Sequence, residues 1–341
     1  MVDSFVTKVI FDNSKKAIGV ETLTGKTYRA SKEVIVSAGS LDTPKVLLLS
    51  GIGPAADLSA LSIPVIKDLP VGKNLIDHCF VTTTVLLKPE TPAPPVPAES
   101  SNPIVARDPL LQTGPQCPMA WISSPTVRSS DEFEALDEKT KDFLKRVPTF
   151  ELVTLNVPLA AGLPELGEGA KVMTFLALLM NPQSTGSVTL ASKDPSEPAL
   201  IDLNYLSHPY DRRVIIEGLR TAIKLSETPG ITQMTEKRID GPGSDADDET
   251  LLEHCKKSAS PVWHFAGSCK MGRDGDETAV VDKDFRVKGV RGLRVVDLSV
   301  TAVLPNNHPQ STAYLVGETA AEKMIGEYGL EDGRNLETTE M

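Results

Sequence analysis

The apolar residues fall into short runs bounded by turn residues. Residues 6–11 (VTKVIF) read as a strand, Asn13-Ser14-Lys15-Lys16 as its turn, and residues 17–22 (AIGVET) as a strand that pairs back. Gly25 turns the chain again. Residues 33–39 (EVIVSAG) are short, β-branched and closed by glycine, the form of a buried strand. Thr43 then offers an N-cap and Pro44 a first helical residue for an apolar helix through 45–49, stopped by Gly51 and Gly53. From Val81 the character changes. Residues 81–87 are strand-like, and Pro89, Pro92, Pro94, Pro95 and Pro97 predict an extended loop. Strands are expected over 150–159, 171–180 and 186–191. Val214, Ile215, Leu219, Ala222, Ile223 and Leu225 recur at helical spacing over 213–228, and 247–255 predicts a shorter helix. Residues 293–296 form an apolar strand that ends in Asp297.

At 341 residues the chain has room for one large or two small domains. The net charge of −11 argues against a nucleic-acid partner, whose backbone calls for clustered Lys and Arg. No apolar run reaches membrane-spanning length, so no membrane partner is expected. Met1-Val2-Asp3 does not open on the basic and apolar run of a secretory leader. Four cysteines without close pairing do not suggest a disulfide framework, and no internal repeat is visible.

Candidate chemistry gathers in residues 262–318. Two of the five histidines, His264 and His308, sit at its punctuated ends, with the strand before Asp297 between them. Imidazole titrates near neutrality and suits a general base, although two unrelated structural histidines would leave the same spacing. Other constellations are weaker. Gly51-Ile52-Gly53-Pro54-Ala55-Ala56 could be a nucleotide loop, but the helix after it is too short for a crossover, and a helix stop is the better reading. His254, Cys255, His264 and Cys269 match no metal-ligand spacing, so no metal is expected. Asp77-His78 reads as a turn with a satisfied histidine rather than a catalytic pair. No G-x-S-x-G elbow occurs.

The stretch His264-Phe265-Ala266-Gly267-Ser268-Cys269-Lys270-Met271-Gly272 resembles the H-x-x-G-T-C-x-M-G block of the glucose–methanol–choline family of FAD-dependent alcohol oxidoreductases, with Ser268 for the usual Thr. Residues 294–299 and Pro305-Asn306-Asn307-His308-Pro309 are similar to its second late block. Residues 39–53 (GSLDTPKVLLLSGIG) are similar to its second signature, and 71–78 (VGKNLIDH) to the motif that follows. The resemblance covers roughly residues 6–328.

It implies an α/β (α+β) fold. A partial FAD-binding Rossmann-like domain would be joined to a substrate domain with an antiparallel sheet and flanking helices. Residues 1–79 would belong to the FAD-binding domain, 80–260 to the substrate domain and 261–330 to the first again, with a tail at 331–341. His264 is implied as the base and His308 as the partner that hydrogen-bonds the substrate oxygen. Val6, Ala38, Gly39, Asp297, Leu298, Pro309 and Gln310 are implied to border FAD, Val6 beside the adenine. The implied partners are a small alcohol, oxidised to a carbonyl, and an electron acceptor, oxygen or another. Two alternatives stand beside this: a flavin-containing lyase of the hydroxynitrile type, and an inactive fragment unable to hold FAD. The family's opening strand, G-x-G-x-x-G turn and helix are not found before Val6, so a truncated form is expected, with weak or no flavin binding of its own.

Overall fold

The hairpin read from the first runs is present. β1 (Val6–Phe11) pairs antiparallel with β2 (Ala17–Thr22), and β3 (Thr27–Arg29) adds the third strand. A computed structural model describes residues 2–92, 118–159 and 163–330 of the chain. Pro94, Pro95, Pro97 and the 331–341 tail lie outside them. The described residues divide into two units, one of 2–77, 185–204 and 264–330, the other drawn from 78–184 and 205–263.

In the first unit, β4 (Val34–Val36) lies parallel to β13 (Leu293–Val295), each strand buried at its ends. A parallel pair cannot close through a tight turn, and here the chain between the two strands contains the whole second unit. Arg294, fully buried in β13, is held by Glu33 through Nε at 2.8 Å, by Glu327 and by the Asp284 carbonyl at 2.7 Å. A buried guanidinium needs such partners, because an unpaired charge in a core is strongly unfavourable. Glu327 lies near the end of the helix Gln310–Tyr328, so this network ties that helix to the strand pair.

The sequence reading starts a helix after Thr43; it starts earlier, as α1 (Gly39–Leu49), with Pro44 inside it. The cap comes from far along the chain. Asp297 Oδ2 accepts the Gly39 N–H at 3.0 Å and the Thr43 hydroxyl at 2.5 Å. A carboxylate at a helix start is favoured by the dipole. Pro44 has no N–H to give the carbonyl four residues back. That carbonyl, of Ser40, accepts the Ser268 hydroxyl instead, at 2.6 Å.

The reading also keeps 80–260 together, whereas residues 185–204 belong to the first unit. The backbone of Leu75 and Gly186 exchanges two hydrogen bonds, and Val188 N donates to Gly72 O at 2.7 Å. Gly72 has φ +80°, and a side chain there would strike the Val188 carbonyl. Lys45 adds two bonds to the carbonyls of Pro195 and Glu197.

The second unit is a six-stranded antiparallel sheet. β5 (Cys79–Leu87), β8 (Val172–Leu179), β7 (Phe150–Leu155) and β6 (Met119–Ile122) follow in spatial order, while β11 (Thr235–Asp240) and β12 (Ser260–Pro261) share the other edge of β5. The helix Pro209–Ser226 starts four residues before the predicted 213, because His208 caps it and Pro209 suits its first turn. It buries Val214, Ile215, Leu219, Ala222 and Ile223 in a core shared with Val81, Phe150, Phe175 and Ala177. Gly218 allows close approach, since a Cβ there would stand 3.0 Å from that of Ala177.

Candidate active site

His264 and His308 come together in the first unit. Their ring centroids are 4.9 Å apart and the planes meet at 69°. His264 is half-buried and His308 exposed. Burial, and then the neighbouring His308, lowers the pKa of His264 to about 4. Its ring is therefore neutral near pH 7, with a lone pair available to accept a proton.

The segment carrying His264 is fixed by polar bonds from several directions. Asp77 Oδ1 accepts the His264 N–H at 2.7 Å. The Ser40 hydroxyl donates to Phe265 O at 2.7 Å. Ile76 and Ala266 exchange backbone bonds at 3.0 and 2.9 Å. Gly267 N donates to Leu298 O and Cys269 N to Ser299 O. Cys269 is fully buried, and burial pushes its thiol well above the ordinary range.

Asp297 sits at the crossing of these segments. Besides capping α1, its Oδ1 accepts Ser299 N at 2.8 Å and starts the 3-10 turn Leu298–Val300. Its carboxylate is thus engaged within the protein, so a ligand beside it would meet backbone. Pro309 is the N-cap of the helix Gln310–Tyr328, so Pro309 and Gln310 follow His308 directly at that helix start.

Val6 and Ala38 line a different cavity, of about 280 Å³, together with Phe5, Asp42, Lys45 and Leu49. Neither histidine lines it. Gly39, next to it, has φ +83°, and no atom lies within 4 Å of where a Cβ would stand. A pocket of this size holds part of a dinucleotide rather than all of it, since ligand pockets run to roughly 300–1,000 Å³. A second cavity, about 930 Å³, lies elsewhere in the unit and is lined by charges of both signs, among them Lys67, Asp68, Asp276 and Lys288. None of the candidate residues lines it. Among the described residues no three His, Cys, Asp or Glu side chains are grouped to hold a metal, and no helix is long and apolar enough to cross a membrane.

Sequence reasoning gave Ser40 and Ser268 no role beyond the motifs that contain them, and read Asp77 as part of a turn. Ser268 had a signal, because a proline inside a helix leaves one carbonyl in need of a donor. Asp77 stood out only as part of the 71–78 motif, and nothing local pointed to its bond, which is to a backbone N–H 187 positions away.

The chain was compared with known proteins. Family models described as GMC oxidoreductase match residues 1–80 and 182–317. Dehydrogenase pkfF of Emericella nidulans is 34% identical over 328 residues, which span 92% of this chain and 53% of that protein. Glucose dehydrogenase [FAD, quinone] of Drosophila melanogaster is 31% identical over 343 residues, 94% of this chain and 52% of that one. Among solved structures, an Aspergillus oryzae formate oxidase studied for its FAD modification superposes with a TM-score of 0.81 at 25% identity. That match covers 96% of this chain and 60% of the other. The chain spans about half the length of these curated relatives.

Proposed function

This chain belongs to the GMC oxidoreductase family, and from that premise we propose that it carries the proton-transfer machinery of an FAD-dependent oxidation of a CH–OH group to a carbonyl. The family is one of flavoprotein oxidoreductases, and FAD is its cofactor. Bound FAD supplies the acceptor for the hydride, at flavin N5. The protein's own residues handle the proton. His264, held neutral, takes the hydroxyl proton of the alcohol on a ring nitrogen, and His308 hydrogen-bonds the same substrate oxygen. The edge-on approach of the rings, 4.9 Å between centroids, suits two groups that converge on one small atom.

We assign Val6, Ala38 and Gly39 to one end of the cofactor. Val6 and Ala38 would border the adenine side in the cavity they line, and Gly39, next in the chain to Ala38, presents bare backbone to open space. Asp297, Leu298, Pro309 and Gln310 would meet FAD through backbone, because the Asp297 carboxylate is already engaged. The name of the Drosophila relative pairs glucose with FAD and a quinone, which supports a hydroxyl-bearing substrate and a separate electron acceptor.

The observation that carries this reading is the histidine pair. Its test is to mix FAD-loaded protein with alcohols without oxygen and follow loss of the visible flavin absorbance. Alcohol should bleach it, and His264→Ala should slow bleaching by roughly two to four decades, the scale for losing a general base. Loaded protein that no alcohol bleaches, or a His264→Ala variant that bleaches at the original rate, would overturn the proposal.

A further inference from the structure

We infer that Asp77 is a positioning residue for His264, setting the place of its ring by holding its backbone. The residue before His264, Trp263, has φ +60°. That left-handed conformation is uncommon for any residue with a Cβ and unusual for a bulky one. Such a conformation persists only where its surroundings over-determine it. Packing does not do so here, because the Trp263 side chain is 72% exposed. Hydrogen bonds do.

The turn at Trp263 aims the next N–H, that of His264, at Asp77 Oδ1, 2.7 Å away. Asp77 is itself only 3% exposed. It follows Ile76, whose backbone exchanges two bonds with Ala266, so acceptor and loop are held in one frame. Ser40 secures Phe265, the residue on the far side of His264. Of these bonds, the one from Asp77 meets His264 itself. A buried carboxylate accepting an N–H makes a short, strong bond. Without it the strained turn can relax to the extended region, and the ring leaves its sheltered position beside His308. His264 would then be better hydrated, and its titration would move up toward that of an ordinary histidine. His308, which can also charge, faces the ring, and the Asp77 carboxylate lies beside the His264 backbone.

The inference deepens the reading of His264 as a base, but its experiment reads geometry, so the two can fail separately. The chain Met1–Met341 would be labelled in its histidines and followed by NMR, with His264→Asn identifying the signal. In Asp77→Ala the titration midpoint of His264 should rise by about one unit or more. Protection of its amide from exchange should fall by about tenfold or more. Asp77→Asn keeps an acceptor oxygen and should preserve both. The inference is overturned if Asp77→Ala leaves midpoint and protection unchanged, or if Asp77→Asn is displaced as far as the alanine variant. Should Asp77→Ala fail to fold, Asp77→Glu replaces it. It moves the carboxylate by one methylene and should raise the midpoint in the same direction; an unmoved His264 there also overturns the inference.

Discussion

The sheet of the second unit and the loop that carries His264 are held in place by different means. In the sheet, Phe150, Phe175 and Ala177 meet the helix Pro209–Ser226 through apolar contact, repeated at every turn of that helix. Around His264 a small apolar cluster of Ile76, Ala266 and Leu304 is supplemented by polar bonds between residues far apart in sequence. Apolar packing is distributed, so no one contact is indispensable, whereas each polar bond has a definite geometry that nothing duplicates. The contrast suits their tasks. A packed layer supplies stability, and directional bonds fix one ring in one place.

That contrast can be broken at four points. The largest effect on stability is expected at Phe150→Ala, where truncating a fully buried ring should cost about 3–5 kcal/mol, read from denaturant unfolding. The histidine pair should be little disturbed, since the loss lies in the other unit. Asp297→Ala comes next. It removes the acceptor of three bonds and should cost roughly 2–4 kcal/mol, on the scale of one or two charge-assisted bonds. Unfolding at the wild-type denaturant midpoint would show that water replaces the cap. Ser268→Ala should cost about 1–3 kcal/mol by leaving the buried Ser40 carbonyl without a donor, and Ser268→Thr should recover most of it. Equal stability of the alanine and threonine variants would refute the role given to the hydroxyl.

The fourth point is pH dependence. The unfolded His264 takes a proton near pH 6.5, the folded one only near 4. Between those values the unfolded state binds more protons, so stability should decline as pH falls from about 6.5 to about 4 and be unaffected by this group above that window. Melting curves of wild type and His264→Asn at pH 7 and pH 5 give the measurement. The variant should lose less on acidification, and an equal loss in both would remove His264 as a source.

The same contrast explains what could be read beforehand. Runs such as 172–179 are visible because a strand buried along nearly its whole length reads as a short continuous apolar run, and the helix stop at Gly51 is visible because few residues take its φ of +82°. The two histidine blocks stand out through long motifs. The start of α1 was misplaced because its cap, Asp297, is 258 positions from Gly39. Local rules look for a cap among adjacent residues. The return of 185–204 to the first unit was hidden for a similar reason, since its bonds to Gly72 and Leu75 are backbone bonds that carry no side-chain signature. The reading of Val6, Ala38 and Gly39 as neighbours of FAD rested on the family resemblance alone; no periodicity marks them.

The ion network around Arg294 has a consequence for how the protein is made. Arg294 and Glu33 are 261 positions apart. As the chain leaves the ribosome, the second unit is fully synthesised by Trp263, while β4 still lacks its parallel neighbour. The early segment must then wait, at about 5–20 residues per second, with an apolar strand edge unpaired. Contacts of such long separation form slowly. During that interval the nascent chain is most exposed to misassociation, and chaperone occupancy should be highest after the sheet of the second unit has closed but before Arg294 emerges.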